Sequence, residues 1–123
     1  MKQYDYKKIL QYIIKDINAV CPNESFALIE YPVISAIVAS KSQLSLTTKL
    51  VGLFYDDGRG YDCFLYGKSF KDFFMNIKNH LKNDSLSIVE DVELKARWEI
   101  KNRLNHMFQM PLATLAVEAD LMS

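Results

Sequence analysis

The stretch 49–66, KLVGLFYDDGRGYDCFLY, decides how the rest of the chain is read. Two runs rich in aliphatic and aromatic residues, Lys49–Tyr55 and Tyr61–Tyr66, flank the pentapeptide Asp56-Asp57-Gly58-Arg59-Gly60. Such runs suit a pleated, half-buried surface. Gly58 and Gly60 supply the positive φ that a tight hairpin loop demands, and Asp tolerates the same region. Val51, Leu53 and Tyr55 are expected to share one face of the first strand, with Phe54 on the other. Upstream, Phe26–Tyr31 reads as another short strand. Val33–Val38 follows Pro32 and suits a short helix or a buried strand; its β-branched content favours the strand.

Helices are expected around these strands. Over residues 5–20, Tyr6, Ile9, Leu10, Ile13, Ile17 and Val20 recur at three- and four-residue spacing, and Pro22 cannot continue the helix. Gly67 ends the hairpin, and Ser69 with Asp72 resembles a capping box. The following helix, 69–82, carries the stripe Phe70, Phe73, Phe74, Ile77 and Leu81. Asn83 and Asp84 mark a break, and Leu86-Ser87-Ile88 alternates like a brief strand. A long helix then runs to Phe108, capped by Asp91 or a neighbour. Its acids come first and its bases mostly later, as the helix dipole prefers, with Asp91/Lys95, Glu93/Arg97 and Glu99/Arg103 as i,i+4 pairs. Pro111 opens a last helix, Leu112–Met122, with Leu112, Leu115, Ala119 and Met122 on one side. The expected fold is a single α+β domain spanning 1–123. It has an N-terminal helix, an antiparallel sheet of three to five strands around the 49–66 hairpin, and two or three C-terminal helices.

Composition narrows the function. The chain has 123 residues, half of them apolar, with 15 basic and 15 acidic side chains and no net charge. That is enough apolar material for a core and excludes a disordered chain. Neither half is basic, so nucleic-acid binding is not expected. The N-terminal apolar residues are interrupted by charge, and no apolar run approaches the ~20 residues needed to cross a bilayer. The two cysteines, Cys21 and Cys63, lie 42 positions apart without a CxxC pattern, so both are expected reduced, in a cytoplasmic protein.

No pattern for catalysis or a cofactor emerges. Gly67-Lys68-Ser69 opens a helix after a strand, as a phosphate loop does, but Asp62 stands where that motif requires glycine. His80 and His106 lie on different helices without patterned acids. Asp56, Asp57 and Asp62 crowd the hairpin with Arg59 among them. Three acids suit a hard cation or a small acidic pocket. Their spacing is not that of a calcium loop, and Asp-Asp-Gly is ordinary turn chemistry. Neither a cofactor nor a metal is expected.

The long helix carries more apolar surface than one stripe needs. Val92, Ala96, Ile100, Leu104 and Met107 form the expected core row. Leu94 and Trp98 fall on nearly the opposite side, beside Lys101 and Asn105. One account sandwiches this helix between the sheet and the C-terminal segment, with Trp98 buried. The other makes Trp98 an anchor for a protein partner, since tryptophan is enriched at binding hot spots. A third has Trp98 stacking on bases between Lys95, Arg97 and Lys101.

The profile (small, neutral, aromatic-rich, without a catalytic pattern) resembles that of many bacterial inhibitor and toxin-immunity proteins, though no motif carries the likeness. The expected function is a non-catalytic protein that binds another protein, through Leu94, Trp98, Lys101 and Asn105 and through the hairpin residues Asp56, Asp57, Arg59 and Asp62. The alternatives are a small enzyme with Asp56, Asp57 and Asp62 in a pocket, or a weak nucleic-acid binder. A homodimer is also expected, with Trp98 or the 112–122 segment in its interface.

Overall fold

The computed structural model describes residues 3–22, 26–31, 50–56, 61–86, 88 and 92–122; for 29–31, 50–56 and 61–66 the description is of the backbone alone. The elements are α1 (Tyr6–Val20), β1 (Phe26–Tyr31), β2 (Leu50–Asp56), β3 (Tyr61–Gly67), α2 (Phe70–Lys82), α3 (Leu94–Phe108) and α4 (Leu112–Leu121). The strand expected at 33–38, the hairpin residues Asp57–Gly60 and the cap at Asp91 lie outside the described residues.

Helix α1 begins where the Asp5 carboxylate accepts a hydrogen bond from the Lys8 N–H at 3.1 Å, satisfying one of the orphan donors of the first turn. It ends where the Cys21 N–H donates to the Ile17 carbonyl, immediately before Pro22. Its buried row is Ile9, Leu10, Ile13, Ile14 and Ile17. Ile14, outside the expected stripe, is inside; Val20, expected within it, is exposed. The reason is position. α1 touches α2, α3, α4 and β1, so its apolar side is covered, while Lys7, Gln11 and Lys15 keep a solvent side and the last turn at Ala19 and Val20 is exposed.

Helix α2 starts as its sequence requires. The Ser69 hydroxyl accepts from the Asp72 N–H at 3.1 Å, and the Asp72 carboxylate reaches back to the Lys68 N–H at 3.4 Å. Phe73, Phe74 and Ile77 are buried, with Phe70 and Leu81 packed at the edge of the core. Phe74 stacks between Tyr6 of α1 and Phe108 of α3, with ring centroids 5.4 and 4.7 Å away. The helix closes through Asp84, whose φ of 52° is left-handed. The Ser85 N–H donates to the His80 carbonyl and the Asp84 N–H to that of Leu81, the two bonds of a Schellman ending. Leu86 and Ile88 beyond it are buried, but neither belongs to a strand.

Helix α3 begins at Leu94 after Glu93, with no side-chain cap. Its core row is Ala96, Ile100, Leu104 and Met107, and Val92 is buried just ahead of it. Arg103 does not pair with Glu99 as the i,i+4 spacing suggested. Instead its guanidinium grips Asp16 of α1 with two hydrogen bonds, one of them 3.0 Å from Nη2 to Oδ1. α4 packs on α1 through Leu115 and Ala119, tied by a 3.0 Å ion pair between Lys8 and Asp120. Met122, expected on the inner side, is exposed.

The strands lie in the order β1-β2-β3, all antiparallel. β1 meets β2 from Phe26 opposite Tyr55 to Tyr31 opposite Leu50. Between β2 and β3 the register slips by one after Leu53, leaving Phe64 as the extra residue of a bulge. α1 lies against β1, and α2 against β3 and β2.

The α+β expectation, with a sheet of three to five strands at the centre, is overturned by the proportions. Among residues described with their side chains, 71% are helical, in four helices, and only one strand segment remains. The described residues are mostly helical, and the described core is a helix core. Of the described buried side chains only Phe26 comes from a strand; nearly all the others stand on α1–α4 or the segments joining them. Four apolar stripes, each wide enough to need a partner, are satisfied by one another around α1.

One polar contact fixes β1 to this body. The Asn18 side chain donates to the Phe26 carbonyl and accepts from the Phe26 N–H, both at 3.0 Å, so its amide takes the place of a neighbouring strand. Asn18→Ala removes both hydrogen bonds from a part-buried setting. It is expected to destabilise the fold by about 1–2 kcal/mol in urea unfolding, while Lys15→Ala on the solvent side of α1 stays within about 0.5 kcal/mol. Equal effects for the two would remove Asn18 from this role.

Candidate functional site

The outward side of α3 carries two large exposed apolar side chains; Val117 and Leu121 are exposed likewise on α4. Leu94 is 72% exposed and Trp98 66% exposed, one turn apart on the same face. The account that buries Trp98 within the chain is therefore wrong. The core row of α3 faces α1, and that rotation turns Leu94 and Trp98 to solvent. Asn105 is exposed on the same side and Lys101 half-buried.

Trp98 does not stand on a flat surface. A shallow open concavity of about 500 Å³ runs beside it, lined by Val20, Glu99, Asn102, Arg103 and His106. A second groove of about 370 Å³, lined by Cys21, Pro22, Glu93, Lys95 and Ala96, shares Val20 and Glu99 with the first. Together they follow the seam between the end of α1 and α3. Of the residues around these two hollows, only Trp98, and Lys95 as a flank of the base-stacking account, belong to a site expected from sequence; Val20, Asn102 and His106 are among those that do not. The exposure of Val20, which places an aliphatic side chain across from the indole, follows only from where α1 stops.

The seam is held from below. Cys21 is a buried free thiol, its Sγ 3.8 Å from the Ala96 carbonyl oxygen and 3.9 Å from Glu99 Oε2. The Asp16 hydrogen bonds raise the pKa of Arg103 and hold its guanidinium charged. Nearby, burial pushes the Tyr12 phenol up, the Asp16 and Glu118 carboxylates push the same way, and Arg103 opposes them. These groups make a polar floor between α1, α3 and α4.

The hairpin half of the expected site is not assembled with this face by any described contact. Asp56 and Asp62 sit at the ends of β2 and β3, opposite Tyr61 and Tyr55, with only their backbones described. Asp57 and Arg59 lie outside the described residues, so the acidic pocket of the enzyme alternative cannot be built. His80 is engaged locally, its Nδ1 2.9 Å from Ser85 Oγ. Among the described residues no three His, Cys, Asp or Glu side chains group as a metal ion would need. No helix among them is long and apolar enough to cross a membrane.

Comparison of the chain with protein-family models, with curated proteins and with solved structures gives no match.

Proposed function

We propose that the chain is a non-catalytic binding protein that engages another protein through the outward face of α3, with Leu94 and Trp98 as its anchors. The observation that carries this reading is the exposure of both side chains on a helix whose other face is fully committed to the core. Large apolar side chains scattered singly are ordinary surface. An exposed tryptophan bordering a concavity, with an exposed leucine one turn away, has the shape of a binding anchor, and tryptophan is the residue most often found at hot spots. Occlusion of a partner's working surface, as inhibitors and toxin-immunity proteins practise it, is the mode of action this reading carries. It includes a reducing, cytoplasmic setting, which the low cysteine count and the lack of a CxxC pattern suit.

The test compares the wild-type chain with the double variant Leu94→Ser/Trp98→Ala. The wild type, used as bait in extract of its own cells, is expected to retain a partner. Reconstituted with that purified partner, the double variant is expected to bind at least 100-fold more weakly, from roughly 1.4 kcal/mol per factor of ten and two anchors of about that size or more. Its unfolding midpoint stays near that of the wild type. Equal binding by both proteins would overturn the proposal.

A further inference from the structure

The charges around the anchors are one-sided. On α3, Lys95 and Lys101 stand three residues before and after Trp98, flanking it at roughly 60° on either side of the helix. Between them lie Leu94, Trp98 and the neutral amides of Asn102 and Asn105, and no described acid. Neither lysine has an ion-pair partner among the described residues. At the margins Arg97 balances Glu99. The Arg97 Nε is shielded from solvent without a hydrogen-bond partner, and the Glu99 carboxylate is turned toward Cys21. Glu93 lies away from Trp98, in the groove it shares with Lys95, Cys21 and Pro22, and Glu99 borders both that groove and the concavity beside Trp98. In a chain of zero net charge, the surface around the exposed indole is locally cationic.

We infer that this face binds an acidic amphipathic segment of a partner protein, its apolar side chain seated against Leu94 and Trp98 and its carboxylates meeting Lys95 and Lys101. This rests on the reading of α3 as a docking face and names the partner's chemistry. A second copy fits poorly: antiparallel pairing of two α3 helices about Trp98 sets Lys95 against Lys101 of the copy, like charge against like. A lipid surface reaches protruding groups, whereas Trp98 borders a concavity lined by Val20, Asn102 and His106 that accepts an inserted side chain. A nucleic acid requires more cations than two lysines and an arginine on a neutral chain.

The experiment selects binders from a displayed library of random 12-residue peptides against the full chain, then measures the enriched peptides by calorimetry. Enriched sequences are expected to be net acidic with at least one large apolar residue. Trp98→Ala is expected to abolish their binding. Lys95→Glu/Lys101→Glu should weaken it at least tenfold, and peptides with Asp and Glu changed to Lys should regain binding to that charge-reversed variant. Far-UV circular dichroism and melting confirm that each variant folds. Enriched peptides without an acidic bias that still require Trp98 would overturn the inference and leave the docking reading standing. Peptides indifferent to Trp98→Ala, or no enrichment at all, would overturn both. A shift in the fluorescence of Trp98, the only tryptophan, with oligothymidylate or phosphatidylglycerol vesicles but not with peptides would give the face to a nucleic acid or a lipid and overturn the inference. A salt-stable dimer lost in Trp98→Ala would give it to a second copy, with the same consequence.

Discussion

Ile17→Ala is expected to destabilise the fold by about 2–5 kcal/mol, a large share of the total stability of a small domain. Ile17 is fully buried on the helix that the other three surround. Truncation leaves a cavity that α1 cannot close without releasing its hold on its neighbours. Urea unfolding followed by far-UV circular dichroism measures the loss. Trp98→Ala, which removes far more side chain, is expected to change stability by no more than about 0.5 kcal/mol, because the indole is mostly in water. A cost below about 1 kcal/mol at Ile17 would contradict a core centred on α1.

The second large effect is expected at Gly67. This residue ends β3 two positions before the Ser69 cap, and it is buried against the first turn of α2. A Cβ there would stand 2.5 Å from the Phe73 nitrogen, 2.8 Å from the Phe73 Cα and 3.0 Å from the Asp72 carbonyl carbon. All three are backbone atoms, so no rotamer change relieves the clash. The start of α2 must move off the strand, carrying Phe73 and Phe74 with it. Gly67→Ala is expected to cost about 3 kcal/mol, the upper part of the range for overpacking, read as a lowered urea midpoint. A change within about 0.5 kcal/mol would show that the strand–helix junction yields easily. The glycine that superficially suggested a phosphate loop is there to let two backbones approach.

Local periodicity made the helices legible. The α2 stripe Phe70, Phe73, Phe74, Ile77 and Leu81, the Ser69 cap and the α3 core row could be read because helical spacing and capping are short-range properties. Contacts set by distant elements could not. Asn18 looked like a solvated polar residue of α1, and nothing in its neighbourhood announces that its amide pairs with the Phe26 backbone. Arg103 had an acid at the favoured spacing in Glu99 and took Asp16, 87 positions away, instead. Ile14 and Val20 exchanged places because burial on α1 depends on which neighbours surround each turn. The fold class was misjudged for a related reason. The strongest local signal, at 49–66, points to a sheet at the centre, while α1–α4 jointly enclose most of the described core. Trp98 was legible as off the core row of α3. Its neighbours Val20, Asn102 and His106 were not, since they depend on where α1 ends.

The central place of α1 also bears on how the chain comes to be folded. During synthesis α1 leaves the ribosome ahead of α2, α3 and α4, yet its partners follow late: Arg103 comes 87 residues after Asp16, and Asp120 pairs with Lys8 from still farther along. At ~5–20 residues per second, that first interval alone is roughly 4–17 s. Throughout it Ile9, Leu10, Ile13, Ile14 and Ile17 have no α3 or α4 to cover them. The chain's folding is ordered by the arrival of its last two helices more than by the formation of its first.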